Sequence, residues 1–219
     1  MPEPITVVMV GAGGGSVLLE LARRQYRICK ELLDLVGGAV ALAVFLPVMA
    51  VCAVLIKLSD PKGPVLYRQV RVGLNGRLFT IYKIRTMYVD AEAHGQAVRA
   101  GAEDPRVIPA SRWMRRSHVD ELPQLWNILR GEMSLVGPRP ERPELYEDIS
   151  REVPGFEKRL AVKPGLTGLA QIKNGYDTDM AAVRRKLVMD LQYIDGVSLG
   201  HDLKLLLATV SKFHDSGAR

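Results

Sequence analysis

Hydrophobic positions along this chain fall into blocks of different period, and each block predicts a different element. Leu35 to Ile56 is a run of 22 positions without a charge, which as a straight helix would be about 33 Å long, near the hydrocarbon thickness of a bilayer. From Pro64 to Met87 apolar and polar residues alternate, with Asn75-Gly76 between Val65-Leu66-Tyr67 and Leu78-Phe79-Thr80-Ile81-Tyr82. That pattern predicts a β-hairpin. Val119, Leu122, Leu125, Trp126 and Leu129 have helical spacing, and Gly131 supplies a stop. Val183, Leu187, Leu191 and Ile194 form a later stripe, and Leu203, Leu206, Leu207, Val210 and Phe213 another. Both suit core helices, and beside a membrane anchor at least one suits the headgroup region. The predicted class is α+β and mostly helical, with a short hairpin and amphipathic interfacial helices behind an N-terminal membrane helix. Asp90 to Pro109 has no clear period and reads as a mobile helix or loop.

The apolar run begins too far into the chain, and is too long, for a cleavable signal peptide. Its flanks are equally basic: Arg23, Arg24, Arg27 and Lys30 precede it, and Lys57, Lys62, Arg68 and Arg71 follow. The positive-inside tendency then places both ends in the cytoplasm. Pro47, near the middle, removes a backbone donor and predicts a sharp kink. A helix-break-helix that dips into one leaflet satisfies both observations. A single span with a tolerated proline is the alternative.

Size and charge narrow the partners. At 219 residues, 47% hydrophobic, the chain suits one sizeable domain with an attachment. The division expected is a cap or remnant over 1–25, a re-entrant membrane helix with basic flanks over 26–60, and a cytoplasmic catalytic domain over 61–219. The net charge of +6 favours anionic partners, although the cations interleave with acids and prolines and match no nucleic-acid reader. Cys29 and Cys52 cannot build a disulfide framework. The four histidines lack ligand spacing, so any metal should be hard and oxygen-bound.

Ile5 to Val10 followed by Gly11-Ala12-Gly13-Gly14-Gly15-Ser16 looks like the opening of a dinucleotide-binding unit. Ser16 replaces the third glycine, however, and the chain runs directly into the membrane run without room for a sheet.

Chemistry concentrates between Arg112 and Arg142: Arg112, Arg115 and Arg116, then Asp120-Glu121-Leu122-Pro123, then Gly137-Pro138-Arg139-Pro140-Glu141-Arg142. Ser117-His118-Val119-Asp120 matches a capping box, in which Asp120 only closes a helix end. A helix starting at Asp120 instead places Pro123 harmlessly in the first turn. Either way Asp120 lies near a helix N-terminus, which favours an ionised carboxylate and attracts phosphate. Such an aspartate is a candidate covalent nucleophile. Two adjacent acids facing a diphosphate need cations, which Mg2+ with Lys83, Arg85 and Arg139 would supply. Pro138 and Pro140 limit the freedom of Arg139, which suits bidentate phosphate recognition, and Arg116 is a further candidate phosphate ligand. The plain alternative for Lys83 and Arg85 is an exposed hairpin face.

On these motifs the chain resembles the bacterial sugar transferase family, the monotopic phosphoglycosyl transferases that start exopolysaccharide and glycan assembly. The resemblance runs from about Tyr26 to Phe213 and includes the proline-containing apolar run and Gly63-Pro64-Val65-Leu66-Tyr67-Arg68-Gln69. It continues through Phe79 to Met87, Asp120 to Asn127, Ser134 to Pro140, and Lys163-Pro164-Gly165-Leu166-Thr167-Gly168-Leu169-Ala170-Gln171. It implies that Asp120 attacks the β-phosphate of a UDP-sugar, expels UMP and passes the phosphosugar to polyprenyl (undecaprenyl) phosphate. Glu121 would be the partner acid, Mg2+ would lie near Asp120, and the membrane helix would be re-entrant at the cytoplasmic face of the bacterial inner membrane. Two departures stand out. Leu46, where many members have serine, precedes Pro47, and Ile172-Lys173-Asn174-Gly175-Tyr176 lacks the usual arginine after Asn-Gly, for which Lys173, Arg184 or Arg185 are the candidate replacements. The competing class is a membrane-tethered lipid-binding or scaffolding protein without catalysis.

Overall fold

The computed structural model describes residues 15–89, 91, 104–173 and 179–214, with backbone alone for 15–23 and 212–214. The expected glycine-rich loop at Gly11 lies outside these residues, as does most of the stretch from Asp90 to Pro109. The described chain is mostly helical. Its first element, α1, spans Gly15–Ser59 and contains Pro47. The expected break at Pro47 is not present as an interruption of the helix. The ring removes only the donor to the Ala43 carbonyl, and the turns on either side pack on the same folded body. Gly38 abuts Ile128, while Cys52 and Ile56 join Ile84, Ile108 and Met114 in a buried cluster.

One face of α1 is therefore internal. Asp34, Gly38, Cys52 and Ile56 are buried, whereas Val36, Val40, Val44, Val51, Val54 and Leu58 are all exposed. Spacings of three, four and seven set these two groups on opposite sides of the helix. Residues 43 to 48 are exposed on every side.

The hairpin forms as the alternation predicts. Strands β1 (Leu66–Val72) and β2 (Leu78–Ile84) are antiparallel, with Leu66 opposite Ile84 and Val72 opposite Leu78. Asn75 and Gly76 both have positive φ, 53° and 78°, and Arg77 N donates to the Leu74 carbonyl at 3.1 Å. That is the tight turn an Asn-Gly pair favours, because its twist matches the strands.

Helix α2 (Arg112–Arg116) leads to a 3-10 helix over Val119–Gln124 and α3 (Leu125–Leu129). The short strand β3 (Ser134–Val136) pairs in parallel with β4 (Gly165–Thr167). A Cβ on Gly137 would stand 2.4 Å from the Lys163 carbonyl oxygen and 2.9 Å from Gly165 N. Only glycine permits the two motif segments to meet this closely. Between them lies α4 (Pro143–Glu152), and α5 (Leu169–Lys173), α6 (Met180–Asp195) and α7 (Leu199–His214) follow.

Ile81, Leu125, Ile128, Met133, Leu135, Val136, Leu169, Tyr193 and Leu205 form the central core, with Ala41 and Leu42 of α1 against it. Asp34 fastens α1 to β3, accepting from Leu135 N at 3.0 Å and Ser134 Oγ at 3.1 Å. The α6 stripe packs as expected, Val183 and Leu187 lying against Ile149 and Phe156. On α7 the buried positions are Asp202 and Leu205, whereas Leu203, Leu207 and Val210 face outward. Of the stripe expected there, Leu206 packs on the core while Leu203, Leu207 and Val210 face outward, because the inner face also carries Asp202, paired with Lys30 and Tyr193.

Candidate active site

Asp120 and Glu121 sit in the first turn of the 3-10 helix Val119–Gln124, entered through His118 in a left-handed conformation. The α-helix expected to start at Asp120 instead starts at Leu125. Pro123 is accommodated in the tighter turn, where its absent N–H costs little. Both acids are buried.

Glu121 is the centre of an ion cluster. Arg139 donates Nη1 to its Oε2 at 3.1 Å and Nη2 to its Oε1 at 2.6 Å, and Lys83 Nζ reaches Oε1 at 2.8 Å. Burial pushes the Glu121 carboxyl up, but Arg139 and then Lys83 overcome it and hold the group well below the usual carboxylate range. Burial lowers the Lys83 ammonium, against the pull of Glu121.

Asp120 behaves differently. Burial, reinforced by the neighbouring Glu121 charge, raises its carboxyl from 3.8 to about 6, with Lys83, Arg115 and Arg139 pulling it back. The stabilisation expected from the helix terminus is thus outweighed by burial, because the cations are paired with Glu121 and the turn is too short for a sizeable dipole, although a group near 6 is still largely ionised at neutral pH. Its Oδ1 is buried without a hydrogen-bond partner. That oxygen is therefore available to accept from, or bind to, an incoming group.

The scaffold that delivers these side chains is explicit. Asn127, fully buried, accepts from Tyr82 N at 3.3 Å and donates to the Thr80 carbonyl at 2.7 Å, so strand β2 and its Lys83 are fixed against α3. The four consecutive carbonyls of Pro138, Arg139, Pro140 and Glu141 each accept a hydrogen bond, from Gly165 N, Arg159 Nη2, Arg71 Nη1 and Val72 N at 2.8 to 2.9 Å. Behind this segment Arg159 is held by Asp190 at 2.7 Å, and Glu141 by Lys186 at 2.5 Å. Arg139 thus projects from a backbone pinned at every residue, and its side chain is still 37% exposed.

Two expected phosphate ligands go elsewhere. Arg85 is buried at the end of α1, donating Nη1 to Asp60 Oδ2 at 2.5 Å, Nη2 to the Asp60 carbonyl at 2.9 Å and Nε to the Pro64 carbonyl at 2.6 Å. It ties the exit of α1 to the hairpin. Arg116 is exposed, and its neighbour Arg115 turns inward instead, bonding Thr86 Oγ1 at 3.2 Å and acting on Asp120. Nothing in the sequence distinguished the two arginines; the burial of Met114 orients the helix. Arg184 and Arg185 are exposed on α6 and Lys173 is exposed on α5, while Lys186 turns into the Glu141 network. Asn174 to Tyr176 lie outside the described residues.

Around Asp120 and Glu121 stand Lys83, Arg115 and Arg139, a local excess of positive charge with one carboxylate oxygen unused. This arrangement can receive a phosphorylated ligand and present Asp120 to it.

Comparison with known proteins points the same way. Residues 25–216 match the family described as bacterial sugar transferase. The chain is 42% identical over 192 residues to a UDP-glucose:undecaprenyl-phosphate glucose-1-phosphate transferase of Caulobacter vibrioides, covering 87% of this chain and 71% of that protein. It is 40% identical over 185 residues to a UDP-N-acetylgalactosamine-undecaprenyl-phosphate N-acetylgalactosaminephosphotransferase of Aeromonas hydrophila, covering 84% of this chain but 43% of that one. A third relative is an exopolysaccharide production protein of Rhizobium leguminosarum, 37% identical and covered over 94% of its length, with 84% of this chain matched. The chain therefore spans less than half of one of these relatives and nearly all of another.

Proposed function

From the premise that the chain belongs to the bacterial sugar transferase family, we propose that it moves a phosphosugar from a UDP-sugar to polyprenyl phosphate, releasing UMP. The observation that carries this reading is the contrast between the two acids: Glu121 saturated by Arg139 and Lys83, Asp120 buried beside it with Oδ1 unpartnered.

The chemistry divides into two displacements. An Asp120 oxygen forms a bond to the β-phosphorus of the donor as the bond from that phosphorus to the bridging oxygen breaks, and the electron pair leaves with UMP. A phosphate oxygen of the polyprenyl phosphate then attacks the same phosphorus, forming the diphosphate and returning the Asp120 carboxylate. Glu121 keeps Arg139 and Lys83 at the position where the diphosphate charge arrives. Magnesium fits the residues present: Asp120 offers a buried carboxylate oxygen without a hydrogen-bond partner, as suits an ion held by one carboxylate and substrate phosphates. When bound it would neutralise diphosphate charge near Asp120.

Membrane attachment is part of the same reading. The apolar run enters one leaflet at the cytoplasmic face of the inner membrane and returns on the same side, which requires α1 to bend at Pro47 while staying helical on both sides of it. Support comes from α1, whose positions Gly38 and Cys52, at the two ends of the run, pack on one folded body. A crossing helix would have to carry that body through the bilayer.

The test is UMP release from a panel of UDP-sugars by nanodisc-held protein with polyprenyl phosphate and magnesium, beside Asp120→Asn. Release that needs magnesium and stops in the variant supports the reaction and identifies the sugar. Function that survives Asp120→Asn favours the scaffolding alternative.

A further inference from the structure

The cations around the site are matched by carboxylates: Lys83 and Arg139 by Glu121, Arg85 by Asp60, Arg159 by Asp190 and Lys186 by Glu141. Arg71 is held differently. Its Nη1 donates to the Pro140 carbonyl at 2.9 Å and its Nη2 to Gln69 Oε1 at 2.5 Å, both neutral acceptors, and its Nε is buried without a partner. No carboxylate among the described residues lies within ion-pair distance of it. Burial pulls the guanidinium down from 12.5 to about 10, with Arg139 and Arg142 pushing the same way and Glu141 and Glu121 partly opposing them. A cation kept in such surroundings without its own anion is costly, and a phosphate entering beside it would lower that cost.

The hairpin fixes where this charge stands. Lys83 lies opposite Tyr67 in the β1–β2 pairing, and Arg71 follows Tyr67 by four positions, on the same face and about 13 Å along the strand. The Arg139 segment meets that face at both places: Arg139 and Lys83 join at Glu121, and the next carbonyl, of Pro140, rests on Arg71. The two ends serve different neighbours. The cations acting most strongly on Asp120 are Lys83, then Arg115 and Arg139, whereas Arg71 stands beside Arg139 and Arg142. A diphosphate whose β-phosphorus faces Asp120, and whose charge stays among cations, extends past Arg139 with its α-phosphate toward Arg71.

We propose that Arg71 binds the α-phosphate of the UDP-sugar and stabilises the UMP that leaves; the proposal rests on the reaction proposed above. As the bond from the β-phosphorus to the bridging oxygen breaks, that oxygen stays on the α-phosphate with the electron pair. The Arg71 charge falls on the side where this negative charge develops.

Arg71→Met removes the charge and keeps much of the aliphatic stem, and Arg71→Lys keeps the charge without the fork. Each full-length variant is held in nanodiscs with magnesium, and binding of UMP and of uridine is measured by isothermal titration, beside steady-state kinetics and melting temperature. The UMP dissociation constant should rise about tenfold or more in Arg71→Met, and kcat should fall with it. Uridine binding and KM for polyprenyl phosphate should not change, and Arg71→Lys should recover most of the UMP affinity. The melting temperature of Arg71→Met should stay close to wild type, because relief of an unmatched cation offsets the lost bond to the Pro140 carbonyl. A residue that only clamps Pro140 predicts the reverse: a lower melting temperature, with UMP and uridine binding reduced alike or not at all. That pattern, or wild-type UMP binding in Arg71→Met, overturns the proposal. Absence of UMP binding and release in the unaltered protein would instead remove the underlying reaction, so the two failures are distinguishable.

Discussion

Arg139 grips Glu121 with both terminal nitrogens, Nη1 to Oε2 at 3.1 Å and Nη2 to Oε1 at 2.6 Å. The fork expected to recognise phosphate is closed on a carboxylate. Burial of Glu121 is tolerable only because this pairing, with Lys83, compensates its charge. The same pairing leaves Asp120 the less stabilised anion of the two.

Replacing the fork by a point charge separates geometry from charge. Arg139→Lys keeps a cation but loses the bidentate contact, so UMP release should fall about a hundredfold, on the scale of a truncated buried ion pair. Measured kcat/KM near wild type would mean that any cation suffices at this position.

Asp120→Asn should abolish UMP release without unfolding the protein. The amide keeps the shape of the side chain and removes a buried charge whose Oδ1 has no partner, so thermal stability should be equal to wild type or higher. A lowered melting temperature would show that the carboxylate holds the fold.

Gly137→Ala should prevent folding. Its Cβ would meet backbone atoms at 2.4 and 2.9 Å, and backbone cannot move aside as a side-chain end can. Separation of β3 from β4 would cost several kcal/mol, about the upper range for single substitutions. Expression and near-UV circular dichroism check this directly.

Acid sensitivity should originate behind the site. Burial raises the Glu141 carboxyl, but Lys186 and Arg159 outweigh it and lower the group from 4.5 to about 2. A depressed folded-state pKa contributes stability that is complete above the unfolded value of 4.5 and is lost as pH falls toward 2, on the order of 3 kcal/mol. Asp190, raised mainly by burial, acts in the opposite sense. Melting temperature followed from pH 6 downward, roughly the range where carboxylates protonate, should decline in the native protein. Glu141→Gln should start lower, because Lys186 loses its partner, and decline less steeply.

Much of the site was legible because the residues lie in short ordered motifs. Asp120-Glu121, Lys83 and the arginine between Pro138 and Pro140 all come together in one cluster, and the hairpin follows from its alternation about Asn75-Gly76. Arg85 could not be separated from Lys83 by its sequence neighbours: two residues apart on a strand, they share a face by period. What removes Arg85 from the cluster is that its guanidinium is taken by Asp60 and the Pro64 carbonyl at the exit of α1. Arg115 and Arg116 were equally ambiguous until Met114 settled how their helix sits. The network of Arg159, Asp190, Glu141 and Lys186 joins residues up to 49 positions apart and left no local signal.

The sequence alone determined the elements whose cause is local: an uncharged run long enough for a bilayer, a two-residue turn, and an acid pair among cations. The tertiary structure decided which cation serves which acid, that Pro47 leaves α1 continuous, and that Asp120 rather than Glu121 keeps an unmatched oxygen. These outcomes depend on desolvation and on distances between segments remote in the chain. Both are set only when α1, the hairpin and the Arg139 segment pack around one core.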